Sequence, residues 1–473
     1  MTAEQIQDAI KEFKSSDLYK QMQWGQDYYN SENTEIMNRK MLIYAEDEDG
    51  NPFEVDDPYK SNNKLASGYF KILVDQKVAY LLSKPITFEG DDAEDIEELL
   101  GRRFQIVLQQ AAKSASKKSR GWVHPYVDSD GEFKLMPVPS DQVIPVYGAV
   151  DHDIEKIIRH YQCKLTVEGD RVDVTCIEVW TEEDVTYWLE LDGQVKQLTE
   201  DQMEELHGKK YPNPKPHFYR NTVFGDSVSR SEGLNWGAVP FVPLYNNDEE
   251  TYDLQPVKRY IDAYDIVNSD FVNNLEDFQD IYWILKGYGG QNISSFLYEV
   301  KRYKTLKVDG DGDAKAERID IPYEARKEAK DGLEKDIFTF GMGVNPNAIG
   351  DGNITNVVIR SRFAMLDLKA TQFENEIIDF MYAVMEFVNR YREIKNEQPL
   401  EFEGVVFNKS VIVNEVEMLT ANREQQGAVS EATRLSNHPW VDDLNEEIEA
   451  MDEEQSVDLD QFGGGDDEPV EES

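Results

Sequence analysis

A chain of 473 residues with 94 acidic against 49 basic side chains carries a formal charge of −45 at pH 7. That balance excludes a protein that clings to nucleic acid or anionic lipid through a broadly basic surface, since such surfaces act by displacing counterions from phosphates. Hydrophobic residues at 40% and aromatics at 11% exclude a disordered chain, and the length calls for two or three structural units.

The N-terminus, MTAEQIQDAIKEFKSSDLYK, is polar and helical in period, with no apolar core of the signal-peptide kind. From Ala3 to Tyr29 the pattern reads as helix, with Ile6, Ile10 and Phe13 on one face. An Asp/Gly/Pro-rich loop, Ala45 to Tyr59, precedes a helix expected from Asn63 to Leu82 and stopped by Pro85. Ala93 to Ser119 reads as helix again. The period then changes to two: WVHPYVDSDGEFKLMPV predicts strand, Asp-Gly turn and strand. Ile157 to Lys164, Arg171 to Thr181 and Val185 to Leu191 alternate as antiparallel strands, with turns at Glu168-Gly169-Asp170 and Asp192-Gly193. Cys163 and Cys176 lie in these strands and are expected as reduced, buried thiols of a cytosolic protein.

Gly208 to Gly237 is polar and proline-bearing, a linker by composition that leads to an entry strand at Val239 to Pro243. Long helices follow. Leu254, Val257, Ile261, Tyr264, Phe271, Leu275, Phe278, Tyr282 and Leu285 keep helical spacing, so one helix is expected over the whole stretch. Asp262, Asp265, Asp270, Glu276 and Asp280 occupy its other face, which is therefore solvated or set against basic neighbours. Gly287, Gly289 and Gly290 stop it. A small helix (Ser294 to Tyr303) and a β-hairpin in LKVDGDGDAKAERIDI come next, and then a helix from Pro322 to Phe340. The Gly/Asn-rich loop VNPNAIGDGNITN separates it from a long amphipathic helix bearing Val358, Leu366, Phe373, Ile377, Phe380, Val384, Phe387 and Tyr391. A strand (Leu400 to Phe407), a helical region (Glu415 to Leu435), the turn His438-Pro439-Trp440 and a closing helix from Asp442 to Glu454 complete the pattern. From Val441 onward there is no Lys or Arg, and the last stretch reads as a disordered acidic tail. The chain has no candidate membrane span, because no apolar run approaches the roughly 20 residues that a bilayer requires; a soluble protein is expected.

Signals for chemistry are few. A phosphate-cradling GxxxxGK[ST] loop is absent, so the chain is not expected to hydrolyse ATP. Asp309, Asp311 and Asp313 alternate as in a calcium loop, but Ala314 stands where the sharp turn needs Gly and Asp320 where the bidentate Glu belongs, so a hairpin turn is the better reading. Asp47-Glu48-Asp49-Gly50-Asn51 fails in the same way, with Pro52 at the sixth position. His124, His152, His160, His207, His217 and His438 form no HExxH and no Cys/His zinc spacing, and there is no GxSxG elbow. Lys113, Lys117, Lys118 and Arg120 make one basic run, read as a solvated helix end that complements the macrodipole, with contact to a nucleic-acid backbone as the alternative. Lys327, Lys330 and Lys335 lie on the helix after Pro322.

Several stretches together resemble the portal proteins of long-tailed phages of the SPP1-like group. DQKVAYLLSKPITFEGDD (Asp75 to Asp92) is similar to that family's helix ending in a Pro-Ile signature, and GWVHPYVDSDGEF to the hairpin after it. YDLQPVKRYIDAYDIVNSDFVNNLEDFQDIYWILKGYGG resembles its first stem helix leading into the clip. DGDGDAKAERIDIPYEARKEAKDGLEKDIFTFGMGVNP resembles the clip hairpin, second stem helix and start of the tunnel loop. SRFAMLDLKATQFENE is similar to the long helix beyond that loop, and LSNHPWVDDLNEEIEAMDEE to the crown. The similarity spans nearly the whole chain in the family's order, although residues 150–236 match only in pattern.

The resemblance implies an α+β portal-protein fold. Its parts would be a mixed α/β wing over 1–250, a stem helix over 251–286, a small α/β clip over 287–321 and a second stem helix over 322–342. A tunnel loop over 343–354, a long wing helix and strand over 355–409, a helical crown over 410–455 and the acidic tail over 456–473 would follow. It further implies a homo-oligomeric ring, usually of twelve subunits, at the capsid portal vertex of the virion, assembled in the host cytoplasm. Double-stranded DNA would pass through the channel; terminase, major capsid and scaffolding proteins and a head-completion adaptor would be partners. No cofactor, catalytic residue, metal or membrane is implied. Lys330, Lys335, Val344, Asn345, Asn347 and Asn353 would face the channel, and Tyr288, Gln291, Lys301, Lys304, Asp309 and Asp311 would form the clip docking surface. An acidic wall with few lysines suits passage, since strong phosphate binding would pin the DNA. Another phage head or neck structural protein is the alternative, though a scaffold would be dominated by heptads; an intracellular enzyme with an unrecognised site is the other.

Overall fold

The computed structural model describes residues 1–46, 51–57, 60–149, 153–224, 227–276, 282–286, 313–317, 323–348, 356–409, 415–425, 428–436, 438, 441, 448 and 451. The chain forms two compact units, one of residues 1–343 and 368–409 and the other of residues 344–367 and 410–473. The fold is α+β, as the sequence pattern requires.

The expected N-terminal helix is two helices, Ala3–Ser15 and Asp17–Tyr29. Ser16 breaks the run: its backbone is extended (φ −68°, ψ 156°), and its hydroxyl accepts from the Tyr19 amide to cap the second helix. Thr2 and Gln5 form a capping box on the first. Ile6, Ile10 and Phe13 are buried as their spacing predicts, together with Met22, against Ile144, Ile158, Ile177 and Val179 of a large sheet. Each such apolar side chain contributes about 1.5–3 kcal/mol by leaving water.

That antiparallel sheet runs, in spatial order, Gln194–Gln197, Asp184–Leu191, Asp170–Trp180, Ile154–Val167 and Val143–Tyr147, with Lys215–Pro216 also on Asp184–Leu191. The predicted turn positions Glu168, Gly169, Asp192 and Gly193 all have positive φ, the conformation that tight hairpins demand. The cysteine expectation is corrected here. Cys163 lies opposite Val174 and Cys176 opposite Tyr161, so the two are diagonal neighbours on one face, and their sulfurs are bonded with Cα atoms 5.9 Å apart. An intact mass two hydrogens below the reduced value, restored by thiol treatment, is the expected result for unreduced protein.

The expected helix over Ala93 to Ser119 is also interrupted: Ala93–Leu100 ends at Gly101 (φ 70°), and Phe104–Lys118 follows. The second of these packs on a three-stranded sheet, Val242–Tyr245, Arg120–Val127 and Phe133–Val138, which contains the predicted Asp-Gly hairpin. A Cβ at Gly121 would collide with the Ala111 carbonyl, and one at Gly25 with the Lys117 carbonyl, so both close approaches require glycine. The supposed linker from Gly208 to Gly237 is structured. Phe218–Phe224 and Ser227–Leu234 pair as a hairpin, which polar composition had concealed.

The helix expected to begin near Asn63 begins at Tyr69. The one expected from Leu254 to Leu285 covers Lys258–Glu276, and Tyr282–Lys286 is a strand paired antiparallel with Asp313–Glu317. Tyr-Trp-Ile-Leu is a strong strand former, and that preference overrides a spacing that happens to continue the helical period. Of the hairpin expected within LKVDGDGDAKAERIDI only Asp313–Glu317 is described, as a strand paired with Tyr282–Lys286; the rest lies outside the described residues. Tyr323–Phe340 is the predicted return helix and Asn356–Lys395 the predicted long one. Gly404–Val406 pairs with Thr87–Glu89, and in the second unit Glu415–Glu424 and Glu431–Ser436 are helical. The expected helix Ser294 to Tyr303, the calcium-like runs from Asp309 and Asp47, His152 and the acidic tail fall in stretches outside the described residues. Among the described residues no helix is long and apolar enough to cross a membrane.

Candidate functional site

Helices Lys258–Glu276 and Tyr323–Phe340 pair antiparallel, which their ring contacts trace in order. Tyr260 stacks on Phe340 at 5.0 Å, and Phe271 meets Tyr323 at 5.9 Å. Lys330 donates to Asn268 Oδ1 at 2.6 Å and lies 5.3 Å over the Tyr264 ring. Tyr69 holds the pair from a third helix, edge-on to Tyr264 at 4.9 Å and to Phe338 at 5.8 Å, beside buried Ile261 and Ile337.

Among the described residues of the acidic face of the first helix, Glu276 is exposed and Asp262 and Asp270 meet cations as expected, whereas Asp265 is buried against backbone amides. Asp265, Ser269 and Asn273 are buried and accept the backbone amides of Ser67 (2.9 Å), Leu65 (3.0 Å) and Asn63 (2.7 Å) in turn. The extended stretch that delays the start of the helix Tyr69–Leu82 is thus a polar seam, its amides satisfied by side chains and not by helical carbonyls. Asn33 donates to Asp265 as well, whose carboxyl burial raises above its ordinary value. Asp262 accepts from Lys258 at 2.9 Å and from the Tyr28 hydroxyl, and Glu276 accepts from Asn63 at 2.7 Å. Asp270, like Asp262, meets a basic neighbour, as a bidentate partner of Arg39 at 2.8 and 3.1 Å.

The basic run is corrected too. Lys113 pairs with Asp75 (2.9 Å), Lys118 with Asp141 (2.6 Å) and Arg120 with Glu250 (2.5 Å), while Lys117 lies 4.4 Å over the Tyr29 ring. These are internal ties between elements and not a solvated helix end. Burial, with repulsion from Lys118 and Lys113, pushes the Lys117 ammonium down to about 8.

One constellation escaped the sequence reading. Lys77 sits between Val74, Val78 and Leu81 on the apolar face of Tyr69–Leu82, and its side chain is 2% exposed. Its ammonium reaches Asn246 Oδ1 (2.6 Å) and Asp253 Oδ2 (3.3 Å), and rests 4.0 Å over the Phe373 ring. Lys369 approaches the other oxygen of Asp253 at 3.2 Å. Burial pushes Lys77 down to about 8 against the pull of Asp253; the Asp253 carboxyl, which burial alone would raise, is held well below the usual range by Lys369 and Lys77. The available signal was a lysine amid an apolar helix stripe, which is rare unless a partner exists.

The sequence model of the family described as phage portal protein, SPP1 Gp6-like, matches residues 9–459. The chain belongs to this family. As a phage portal protein it is 29% identical to the portal protein of Bacillus phage SPP1 over 482 residues, which cover 98% of this chain and 90% of that one. It is 28% identical to the portal protein of Clostridium phage phiCD119 over 457 residues, 91% of each chain. The neck of a native gene transfer agent particle, computed with C12 symmetry, is similar at a TM-score of 0.36 and 12% identity over 76% of this chain and 86% of that one. No part of the assignment depends on that likeness.

The portal chain places its expected channel residues unevenly. Lys335 is exposed on Tyr323–Phe340, whereas Lys330 is half-buried and already engaged with Asn268. Val344 is 5% exposed, and Asn345 accepts the Asn347 amide at 2.9 Å through its side chain. Asn353 and all six expected docking residues, Tyr288, Gln291, Lys301, Lys304, Asp309 and Asp311, lie outside the described residues. Among the described residues no three His, Cys, Asp or Glu side chains are grouped to hold a metal ion.

Proposed function

We propose that copies of this portal chain close into a ring, twelve on the family resemblance, around an axial channel that passes double-stranded DNA at the capsid portal vertex. The ring assembles in the host cytoplasm with capsid and scaffolding proteins, receives the terminase during packaging and later the head-completion adaptor. It works without catalysis or cofactor. In this reading residues 1–250 and 355–409 form the wing, and the helices within 251–286 and 322–342 form the stem. Residues 287–321 are the clip with its docking residues Tyr288, Gln291, Lys301, Lys304, Asp309 and Asp311. Residues 343–354 are the tunnel loop, and 410–455 the crown.

The observation that carries self-assembly is an apolar stripe that the other described residues leave exposed. On the helix Asn356–Lys395, Val357 is 74% exposed, Val358 41% and Met365 47%. Side chains at this helical spacing are normally buried, and a second copy of the chain is the cover a ring provides. Purified chain viewed in negative stain is expected to show rings with a central hole, and Val357→Asp combined with Met365→Asp to give monomers. Monomeric wild-type protein would overturn the reading. Channel contact falls to Lys335 in the first place, with Lys330, Val344, Asn345, Asn347 and Asn353 nearer the loop. Lys335→Ala is expected to weaken the salt dependence of DNA passage in a defined packaging assay; an unchanged dependence in that variant and in Lys330→Ala/Lys335→Ala sinks the lysine assignment.

A further inference from the structure

Direct contacts around Asp253 bring two ammonium groups to one carboxylate. Glu376 acts on Lys77 only from longer range. Lys77 has a further acceptor in Asn246 Oδ1, and Asn246 in turn donates to Asp253 Oδ1 at 3.0 Å. Lys369 finds its second acceptor elsewhere, at the carbonyl of Gly341, 3.1 Å away. That carbonyl lies just past Tyr323–Phe340, at the end where the helix dipole is negative and a cation is most stabilising. Asp253 lies just before Lys258–Glu276, anchored by its own amide to the Ser116 carbonyl at 3.0 Å. A single side chain from the long helix therefore joins the start of one member of the helix pair to the end of the other. Gly341 and Gly343 themselves carry no side chain, and Leu73 packs so closely on both that neither has room for one.

We propose that Lys369 is a positioning residue, a clasp that fixes the Gly341 end of the helix pair through its contacts with Asp253 and the Gly341 carbonyl. Its purpose rests on the reading that this end leads into the DNA channel, while its test does not. The charge count makes the proposal specific. With Met at 369, Lys77 and Asp253 remain as a matched pair freed of a second cation's repulsion, so overall stability is kept. The Gly341 carbonyl nevertheless loses its charged donor, and the helix end loosens.

Hydrogen exchange on the full-length chain, followed by mass spectrometry in wild type, Lys369→Met and Lys77→Met, tests this, with particle size measured on the same samples. The reporters are the amides of Gly341, Met342 and Gly343, bonded to the carbonyls of Ile337 (2.9 Å), Thr339 (3.3 Å) and Phe338 (2.9 Å). In Lys369→Met they are expected to exchange roughly tenfold faster, the scale of one charge-assisted hydrogen bond, with the melting temperature within about 3 °C of wild type. In Lys77→Met they keep wild-type protection. Unchanged exchange in Lys369→Met, loosening spread over the whole unit with a lower melting temperature, or equal loosening of these amides in Lys77→Met would each overturn the clasp. Particle size reports on the ring separately, so loss of one reading leaves the other standing.

Discussion

Asp253→Asn is expected to destabilise the chain by about 3–5 kcal/mol, the cost of breaking a buried ion pair by neutralising one partner. The substitution is nearly isosteric, so the loss isolates charge from cavity formation. Asp253 is 7% exposed and, among the described residues, is the only carboxylate in direct contact with both Lys77 and Lys369. Without its charge two ammonium groups face each other across an amide, and Lys77, at 1% exposure, has no route to water. The carboxyl's folded pKa is depressed, so its contribution is present above the unfolded value near 3.8 and is lost as pH falls through the folded one. At pH 7 the urea midpoint of Asp253→Asn should therefore drop with its slope unchanged. A midpoint equal to wild type would mean that the cluster carries no net stabilisation. Lys77→Met should cost much less, because it leaves Lys369 and Asp253 as a matched pair.

Acid should weaken the β-rich part of the chain well before carboxylates titrate. Burial pushes His124, His160, His207 and His217 down to about 4 from an ordinary value of 6.5. His124 sits between Trp180 (4.7 Å) and Phe241 (4.8 Å) with one ring nitrogen on the Pro240 carbonyl. His217 donates from Nε2 to the Thr181 carbonyl and accepts the Trp236 amide at Nδ1, an arrangement only the neutral ring can make. In each case the unfolded imidazole binds a proton that the folded one refuses. Stability is full above pH 6.5 and declines as pH falls from there towards 4. For the three histidines buried below a tenth exposure, His124, His160 and His217, the loss at pH 5 is about 2 kcal/mol each. The melting temperature should fall steeply between pH 6.5 and 5. A flat profile over that range would show that these rings reach water in the folded state.

The parts of the fold that could be read from sequence were those whose cause is local. The stripe Ile6, Ile10, Phe13, the Asp-Gly hairpin after Val127 and the turns at Gly169 and Gly193 each depend on a few neighbouring residues, and all are present. What periodicity could not reveal depended on partners far along the chain. Tyr282–Lys286 continues a helical spacing yet is a strand, and its local preference is realised only against Asp313–Glu317, distant in sequence. Lys113, Lys118 and Arg120 looked solvated because Asp75, Asp141 and Glu250 are distant in sequence. Cys163 and Cys176 meet only once strand register is known. For the helix pair, position was legible and anchorage was not: Lys77, Asp253 and Lys369 come from three separate stretches, and no spacing rule joins them.

The polar seam also has a mechanical consequence. Its acceptors, Asp265, Ser269 and Asn273, recur every four residues of a helix, a rise of about 6 Å per step. Its donors, the amides of Ser67, Leu65 and Asn63, recur every two residues of extended chain, roughly 6.6 Å. The two repeats are nearly commensurate, like teeth on matched racks. Sliding the helix by half a tooth strands all three amides at once, while sliding by a whole tooth offers two of them a new acceptor. Along this line the helix resists load as a detent does, firm at each notch and weakest between notches, where an apolar contact of the same length would yield smoothly.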